Sequence, residues 1–339
     1  MPENPTVVFT EPKKAVIENR PVPKPGSGEV LVKSRRTLIS TGTELTIFRG
    51  EYTKESAWAG YGIFPFVPGY DNVGDVADVG PGVDKSLVGK RFGSYAPHAL
   101  YGVVPVAQLR TVPEKVTDDQ AAFFTIAQIT LNAVRRADAQ FGESAVVYGL
   151  GLLGQFIVRE LLFSGIRPVF AVDIVDRRLA LLPSHPGVIP VNPKTENVKQ
   201  VVTQRTKGRM ADVVYEVTGS HALIPGEFEA LKTQGRFIVV SSPAAKSEYD
   251  FNEVNVHSFT IIGVHVSSHP EYETPWNQWT RARNAEFFFD MVAAGEFDVD
   301  SLISHKEPYA KAPELYQMLL KDRSQAMGVI LKWNGSKPR

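Results

Sequence analysis

Three glycines and one acid carry the clearest chemistry in this chain. Gly149, Gly151 and Gly154 stand in the spacing G-x-G-x-x-G within SAVVYGLGLLGQFIVRELLFSGIRPVFAVD, residues 144–173. That spacing binds phosphate when a strand precedes it and a helix follows. The first glycine allows a tight turn, the second lets backbone approach a pyrophosphate, and the third lets the helix pack closely on the sheet. The helix N-terminus adds unpaired N–H groups and a positive dipole end. Asp173 lies 19 residues past Gly154. It can accept hydrogen bonds from adenosine ribose hydroxyls, and it would repel a 2′-phosphate. The expected cofactor is therefore NAD in preference to NADP. Leu152, Leu153, Arg178 and Thr218 complete the cofactor-binding candidates. Arg177 and Arg178 follow Asp173 closely, and an arginine there can also receive a phosphate.

The surrounding sequence supplies the elements that would position these groups. Ser144–Tyr148 is a short β-branched apolar run, an apolar helical pattern starts at Leu152, and Pro168–Val172 is a second buried-strand run. Upstream, residues 1–118 lean to β-structure, with strand-like runs at Thr6–Thr10, Lys14–Glu18, Glu29–Arg35, Asp84–Phe92, Ala99–Val106 and Leu109–Pro113. Leu38–Gly50 leads into a helix-like turn, and Glu51–Ile63 reads as a surface excursion. Residues 119–140 are expected to form one amphipathic linker helix ended by Gly142. Beyond Asp173 the pattern predicts a proline-broken helix near Leu179–Leu182, a polar helix at Asn197–Thr206, and strands at Asp212–Glu216, Arg236–Val240 and Thr260–Val264. That alternation is one of a doubly wound parallel sheet. A long helix around Trp279–Ala294, the segment SLISHKEP, a helix at Ala312–Lys321 and a strand Met327–Trp333 follow. The terminal WNGSKPR reads as a frayed tail.

Composition narrows the classes of function. The chain has 339 residues, enough for two substantial cores, and its 37 basic residues equal its 37 acidic ones. No basic field exists to hold nucleic acid or an anionic membrane. No apolar run approaches spanning length, and the N-terminus lacks a signal-like apolar segment, so a cytoplasmic protein is expected. There is no cysteine, which excludes disulfides, thiolate catalysis and cysteine–zinc sites.

The order of β-rich domain, central glycine fingerprint and helix–strand return resembles the medium-chain dehydrogenase/reductase superfamily. The specific markers are GTEL at 42–45, FVPGYDNVGDVADVGPGV at 66–83, VGKRF at 88–92, the fingerprint, and GRFIVV at 235–240. The resemblance implies an α/β protein: a GroES-like β-rich catalytic domain of residues 1–120 and 270–339, and a Rossmann cofactor domain of 121–269, with the active site in the cleft between them. It also implies a homodimer paired along the edge strand around Thr260–Val264. The departures concern zinc. Zinc members carry a cysteine where this chain has Thr41, a His-Glu pair where it has Tyr70-Asp71, and a further ligand on the linker helix where it has Ile126-Ala127-Gln128. The four-cysteine structural lobe is missing as well. Fewer than three suitable donors remain, so a zinc-free member is expected.

Without a metal, side chains must manage the proton that accompanies hydride transfer. By the resemblance, Thr43 falls where zinc members hand the substrate proton to solvent. Tyr70 replaces a ligand histidine, so its phenol would face the cleft; a phenol can donate to a carbonyl oxygen, and a nearby cation lowers its pKa. Glu44 and Asp71 are acid/base candidates. Thr41, His98, Gln128 and His265 are candidates for touching substrate. For each the alternative is structural: Tyr70 can pack, Glu44 can hold a loop amide, and His98 can brace the loop. His265 and His269 flank the end of the last sheet strand, and the aromatic segment Tyr272–Trp279 with Arg281 and Arg283 can either shape a pocket or bury. Residues 269–283 look similar to the glycoside and sugar 3-dehydrogenase branch, whereas ISTGTEL with FPFVPGYD resembles bacteriochlorophyllide a dehydrogenases. Both likenesses imply oxidation of a secondary alcohol, the first on a sugar, glycoside, cyclitol or related polyol. The alternatives are an NADPH-dependent quinone or enoyl reductase and a non-catalytic cofactor-binding protein.

Overall fold

The structure, a computed structural model, describes residues 3–333. These divide into two compact units, one of residues up to 125 together with those from 285 on, the other Ile126–Asn284. No helix among the described residues is long and apolar enough to cross a membrane.

The second unit is built on a parallel sheet. Its strand order among the described residues is Val188–Val191, Val169–Val172, Ala145–Tyr148, Ala211–Glu216, Leu231–Val239, Thr260–Gly263. The order reverses between Ala145–Tyr148 and its neighbours, which marks the crevice where dinucleotides bind in such sheets. Both faces are covered, so alternate residues of one strand enter different cores. Ala145 and Val147 pack with Ile157, Leu161 and Tyr215, while Val146 packs with Phe170, Val214 and Phe237. This is why the strands read as continuous apolar runs. Val188–Val191 escaped sequence analysis because Pro190 sits inside it. Proline is tolerated there because the strand lies at the sheet edge.

The first unit is mainly antiparallel. Glu29–Leu38 is its central strand, flanked by Asn72–Val79 and by the returning Gly328–Lys332, with Ile330 opposite Leu38. The segment SLISHKEP supplies the edge strand Ile303–Pro308, parallel to Gly328–Lys332. A core of Val7, Phe9, Leu45, Phe48, Leu315, Tyr316 and Leu331 lies under the helix Ala312–Lys321.

Several expected elements differ in extent. The linker region is not one helix: Thr117 and Gln120 form a capping box that starts a short helix Asp118–Ala121, a tighter i→i+3 turn follows at Phe123, and the long helix is Phe124–Arg136. Asp84–Phe92 is not a strand. Asp84 caps a single turn, Lys85–Leu87, by accepting from the Ser86 amide, and the strand begins only at Arg91. The helix after Asp173 is Asp176–Leu179, earlier than expected. Trp333 is no part of a frayed tail: it is buried, stacks on Tyr309 at 4.7 Å and donates to Thr37 Oγ1 at 2.9 Å. Residues 334–339 lie outside the described ones.

Candidate active site

The second unit carries a glycine loop between a strand and a helix, where the sequence places its cofactor candidates. The strand Ala145–Tyr148 delivers Gly149 at φ 91°, and the helix Leu152–Phe163 begins after Gly151. A Cβ on Gly149 would sit 3.0 Å from the Thr218 amide nitrogen, and one on Gly154 would sit 1.9 Å from the Gly149 carbonyl oxygen. Any side chain at Gly154 therefore forces the helix off the loop. A Cβ on Gly151 would meet nothing within 4 Å, so the backbone there is open to approach. Leu152 is buried, Leu153 partly so. Glu216, at the end of Ala211–Glu216, accepts from the amides of Thr218 and Gly219 (2.7 and 2.9 Å) and from the Thr218 hydroxyl, fixing that loop beside Gly149.

Asp173 ends Val169–Val172 and is only 6% exposed. Its Oδ2 accepts from the Leu150 amide at 2.8 Å and its Oδ1 from the Val175 amide at 2.9 Å, with Arg178 Nη1 at 3.4 Å. The acid expected to hold a ribose thus also holds the glycine loop in place. These features fit a dinucleotide: an open backbone at Gly151, a helix start behind it, and a carboxylate at the strand end.

The first unit gathers most of the catalytic candidates around the helix Thr43–Arg49. Glu44, 1% exposed, accepts from the Ser40 amide through Oε1 (3.0 Å) and from His98 Nε2 through Oε2 (3.1 Å). The Tyr316 hydroxyl also donates to Oε2. The pattern assigns the Nε2–H tautomer to His98, whose buried Nδ1 has no partner. Both structural alternatives hold here: Glu44 holds a loop amide, and fully buried His98 braces Glu44.

Tyr70 is partly exposed, and its hydroxyl donates to Ser40 Oγ at 2.6 Å with the Thr43 hydroxyl also in reach. Burial first, then the acids Asp71 and Glu44, raises the phenol far above its ordinary pKa, while Ser40 and Thr43 pull it back. The sequence left room for a cation that would lower this pKa. The neighbours are acids instead, and Tyr70 stays protonated. Asp71 is fully buried with no hydrogen-bond partner on either carboxyl oxygen among the described residues, and burial, with Glu44 nearby, raises its pKa. Thr41 and Thr43 are partly exposed at the start of the helix.

The remaining candidates belong to the second unit. Gln128 is fully buried, and its Nε2 donates to the Arg281 carbonyl at 2.7 Å. His265 is exposed, with Nδ1 2.8 Å from Ser267 Oγ. His269 is 9% exposed, with its two ring nitrogens 2.9 and 3.1 Å from the carbonyls of Val266 and Gln128; burial depresses its pKa, and the two carbonyls oppose that shift. The guanidinium groups of Arg135 and Arg283 lie over the Trp279 ring, 3.2 and 4.2 Å from its centroid. Ser40, Tyr316 and Glu216 escaped the sequence reading. Tyr316 lies 272 residues from Glu44 along the chain, and only folding reveals the contact.

The residues at the zinc-ligand positions do not form a ligand set. In the first unit these are a threonine hydroxyl, a phenol held protonated and one buried carboxyl. Among the described residues, no three His, Cys, Asp or Glu side chains gather where they would hold a metal.

Comparison with known proteins finds dehydrogenases. Residues 153–282 match the model of a family described as zinc-binding dehydrogenase. The chain is 25% identical to D-guloside 3-dehydrogenase of Escherichia coli K12, covering 89% of this chain and 93% of that protein. It is 26% identical to L-threonine 3-dehydrogenase of Pyrococcus horikoshii, covering 92% and 93%. The crystal structure of 2R,3R-butanediol dehydrogenase from Bacillus subtilis shares the fold, with a TM-score of 0.81 and 20% identity over 98% of this chain and 100% of that one.

Proposed function

We propose, starting from a chain that belongs to the medium-chain dehydrogenase/reductase superfamily, that it oxidises a secondary alcohol of a sugar, glycoside, cyclitol or related polyol, or reduces the matching ketone, with NAD and without zinc. One observation carries the zinc-free part: Tyr70, where zinc members place a ligand, is a protonated phenol hydrogen-bonded to Ser40 and beside Thr43.

Bound NAD supplies the hydride chemistry. Gly149, Gly151 and Gly154 would seat its pyrophosphate, with Asp173 on the ribose and Arg178 and Thr218 at the margins. The chain's own task is the proton. In the reducing direction the Tyr70 hydroxyl donates to the carbonyl oxygen and polarises it. As the oxygen takes the proton, Tyr70 regains one from the Thr43 hydroxyl, and partly exposed Thr43 refills from solvent. In oxidation the same hydroxyl chain runs backward, so no free phenolate need persist. Glu44, fixed by three donors, is a stationary negative group beside this chain. It favours protonated neighbours and opposes loss of the Tyr70 proton.

The test is NADH formation by chelator-treated protein across sugars, cyclitols, glycosides and simple alcohols, with NAD and NADP in parallel. Turnover of a polyol with NAD, undiminished by chelator, supports the reading. Consumption of NADPH with quinones or enones, and no alcohol oxidation, replaces it with a reductase. Binding of NAD with no turnover of either kind leaves a cofactor-binding protein. A homodimer belongs to the same reading, because Thr260–Gly263 is an edge strand with Ile261 42% exposed.

A further inference from the structure

Residues 51–63, a surface excursion by sequence, together with Phe66 just beyond them, hold aromatic rings that the proton chain does not use. The Tyr52 hydroxyl donates to the Gly62 carbonyl at 2.7 Å and closes the segment around the short helix Ala57–Tyr61. Trp58 and Tyr61 have ring centroids 6.5 Å apart, and Tyr61 meets Phe66 edge-on at 5.6 Å. Phe66 stacks on Phe9 at 6.1 Å, Phe9 meets Tyr316 edge-on at 4.8 Å, and Tyr316 donates to Glu44. A run of ring contacts thus ties this segment to the Glu44 cluster.

The rings are anchored, yet they are not fully used. Trp58 is packed in part on the first unit's core, whereas Tyr61 is 51% exposed and Ile63 65%. Partial burial, and then the charge of Glu44, raises the Tyr61 phenol, so it is a hydrogen-bond donor at neutral pH. Aromatic rings with the Tyr61 hydroxyl beside them suit one ligand chemistry well. The C–H bonds of a pyranose ring carry partial positive charge and favour the negative face of an aromatic ring, while its hydroxyls need polar partners. An acyclic diol or amino alcohol presents no such face.

We propose that Trp58 and Tyr61 form a subsite on which the C–H face of a pyranose ring stacks, so that the substrate is a cyclic glycoside rather than an acyclic alcohol. The proposal rests on the dehydrogenase reading and narrows it.

The test compares methyl pyranosides with butane-2,3-diol and threonine as substrates for wild type, Tyr61→Leu and Tyr61→Phe. Tyr61→Leu is expected to raise KM for the pyranosides about tenfold, with kcat unchanged and any acyclic KM unmoved. Tyr61→Phe, which keeps the ring, is expected to stay near wild type. Equal effects of Tyr61→Leu on cyclic and acyclic substrates, or no effect on either, overturn the subsite. If wild type oxidises no alcohol with either cofactor, the dehydrogenase reading fails by itself. Saturation-transfer NMR with a methyl pyranoside then decides the subsite: transfer to ring protons that vanishes in Tyr61→Leu supports it, and no transfer in wild type overturns it.

Discussion

Replacing Tyr70 with phenylalanine removes the one oxygen to which the proposed proton chain gives a task. Tyr70→Phe is expected to lower kcat by about a hundredfold or more, in the range of lost general-acid catalysis, and to leave NAD affinity unchanged. A kcat within a few-fold of wild type would remove Tyr70 from the proton chain. Because the phenol is held protonated, the kcat profile should show no break from this group below pH 10. Asp173 carries the Leu150 and Val175 amides in addition to its proposed task on the ribose. Asp173→Ala should relax the preference for NAD over NADP and also destabilise the fold by about 1–3 kcal/mol through unpaired amides. Unchanged selectivity in a folded variant would show that another residue discriminates. Glu160 is fully buried in the second unit, with one oxygen on Thr130, and burial raises its pKa from 4.5 to about 8. The folded state therefore binds this proton more tightly than the unfolded chain. Its stabilisation is full below about pH 4.5 and is lost as pH rises towards 8. Glu227, raised to about 9 by burial and Glu216, acts in the same sense. Denaturant titrations of Glu160→Gln should show a shallower fall in stability between pH 5 and 8 than wild type; an identical slope would contradict this assignment.

At the scale of elements, the glycine loop separates two requirements that its motif merges. Gly154 is needed by the protein, because a Cβ there would lie 1.9 Å from the Gly149 carbonyl oxygen. Gly154→Ala should destabilise by about 1–3 kcal/mol and weaken cofactor binding as well, because helix and loop part. The fold itself does not need Gly151, since a Cβ there meets no protein atom within 4 Å, and the proposed cofactor contact does. Gly151→Ala should therefore melt like wild type yet bind NAD much more weakly. Calorimetry and cofactor titration of both variants check the pair, and equal melting losses would refute the distinction.

At the scale of the whole molecule, the unit of Ile126–Asn284 has an edge strand, Thr260–Gly263, with unpaired backbone groups and an exposed Ile261. Sedimentation should give a dimer at micromolar concentration, and a charged residue in place of Ile261 should shift it towards monomer. A monomer at all concentrations would dispose of the pairing.

The sequence alone determined the local geometry of the glycine loop, because that signal is short-range. Strand, glycines, helix and Asp173 lie within 30 consecutive residues, and their spacing encodes the turn, the close approach and the helix start directly. It also determined the doubly wound alternation, because strands covered on both faces must be apolar throughout. Folding decided what no spacing carries. Glu44 meets His98 and Tyr316 from far along the chain, and a carboxyl with three donors looks the same in sequence as one with none. The state of Tyr70 was equally hidden, because a phenol's pKa depends on burial and on the sign of neighbouring charge. Both arise only when Ser40, Thr43, Glu44 and Asp71 close around it.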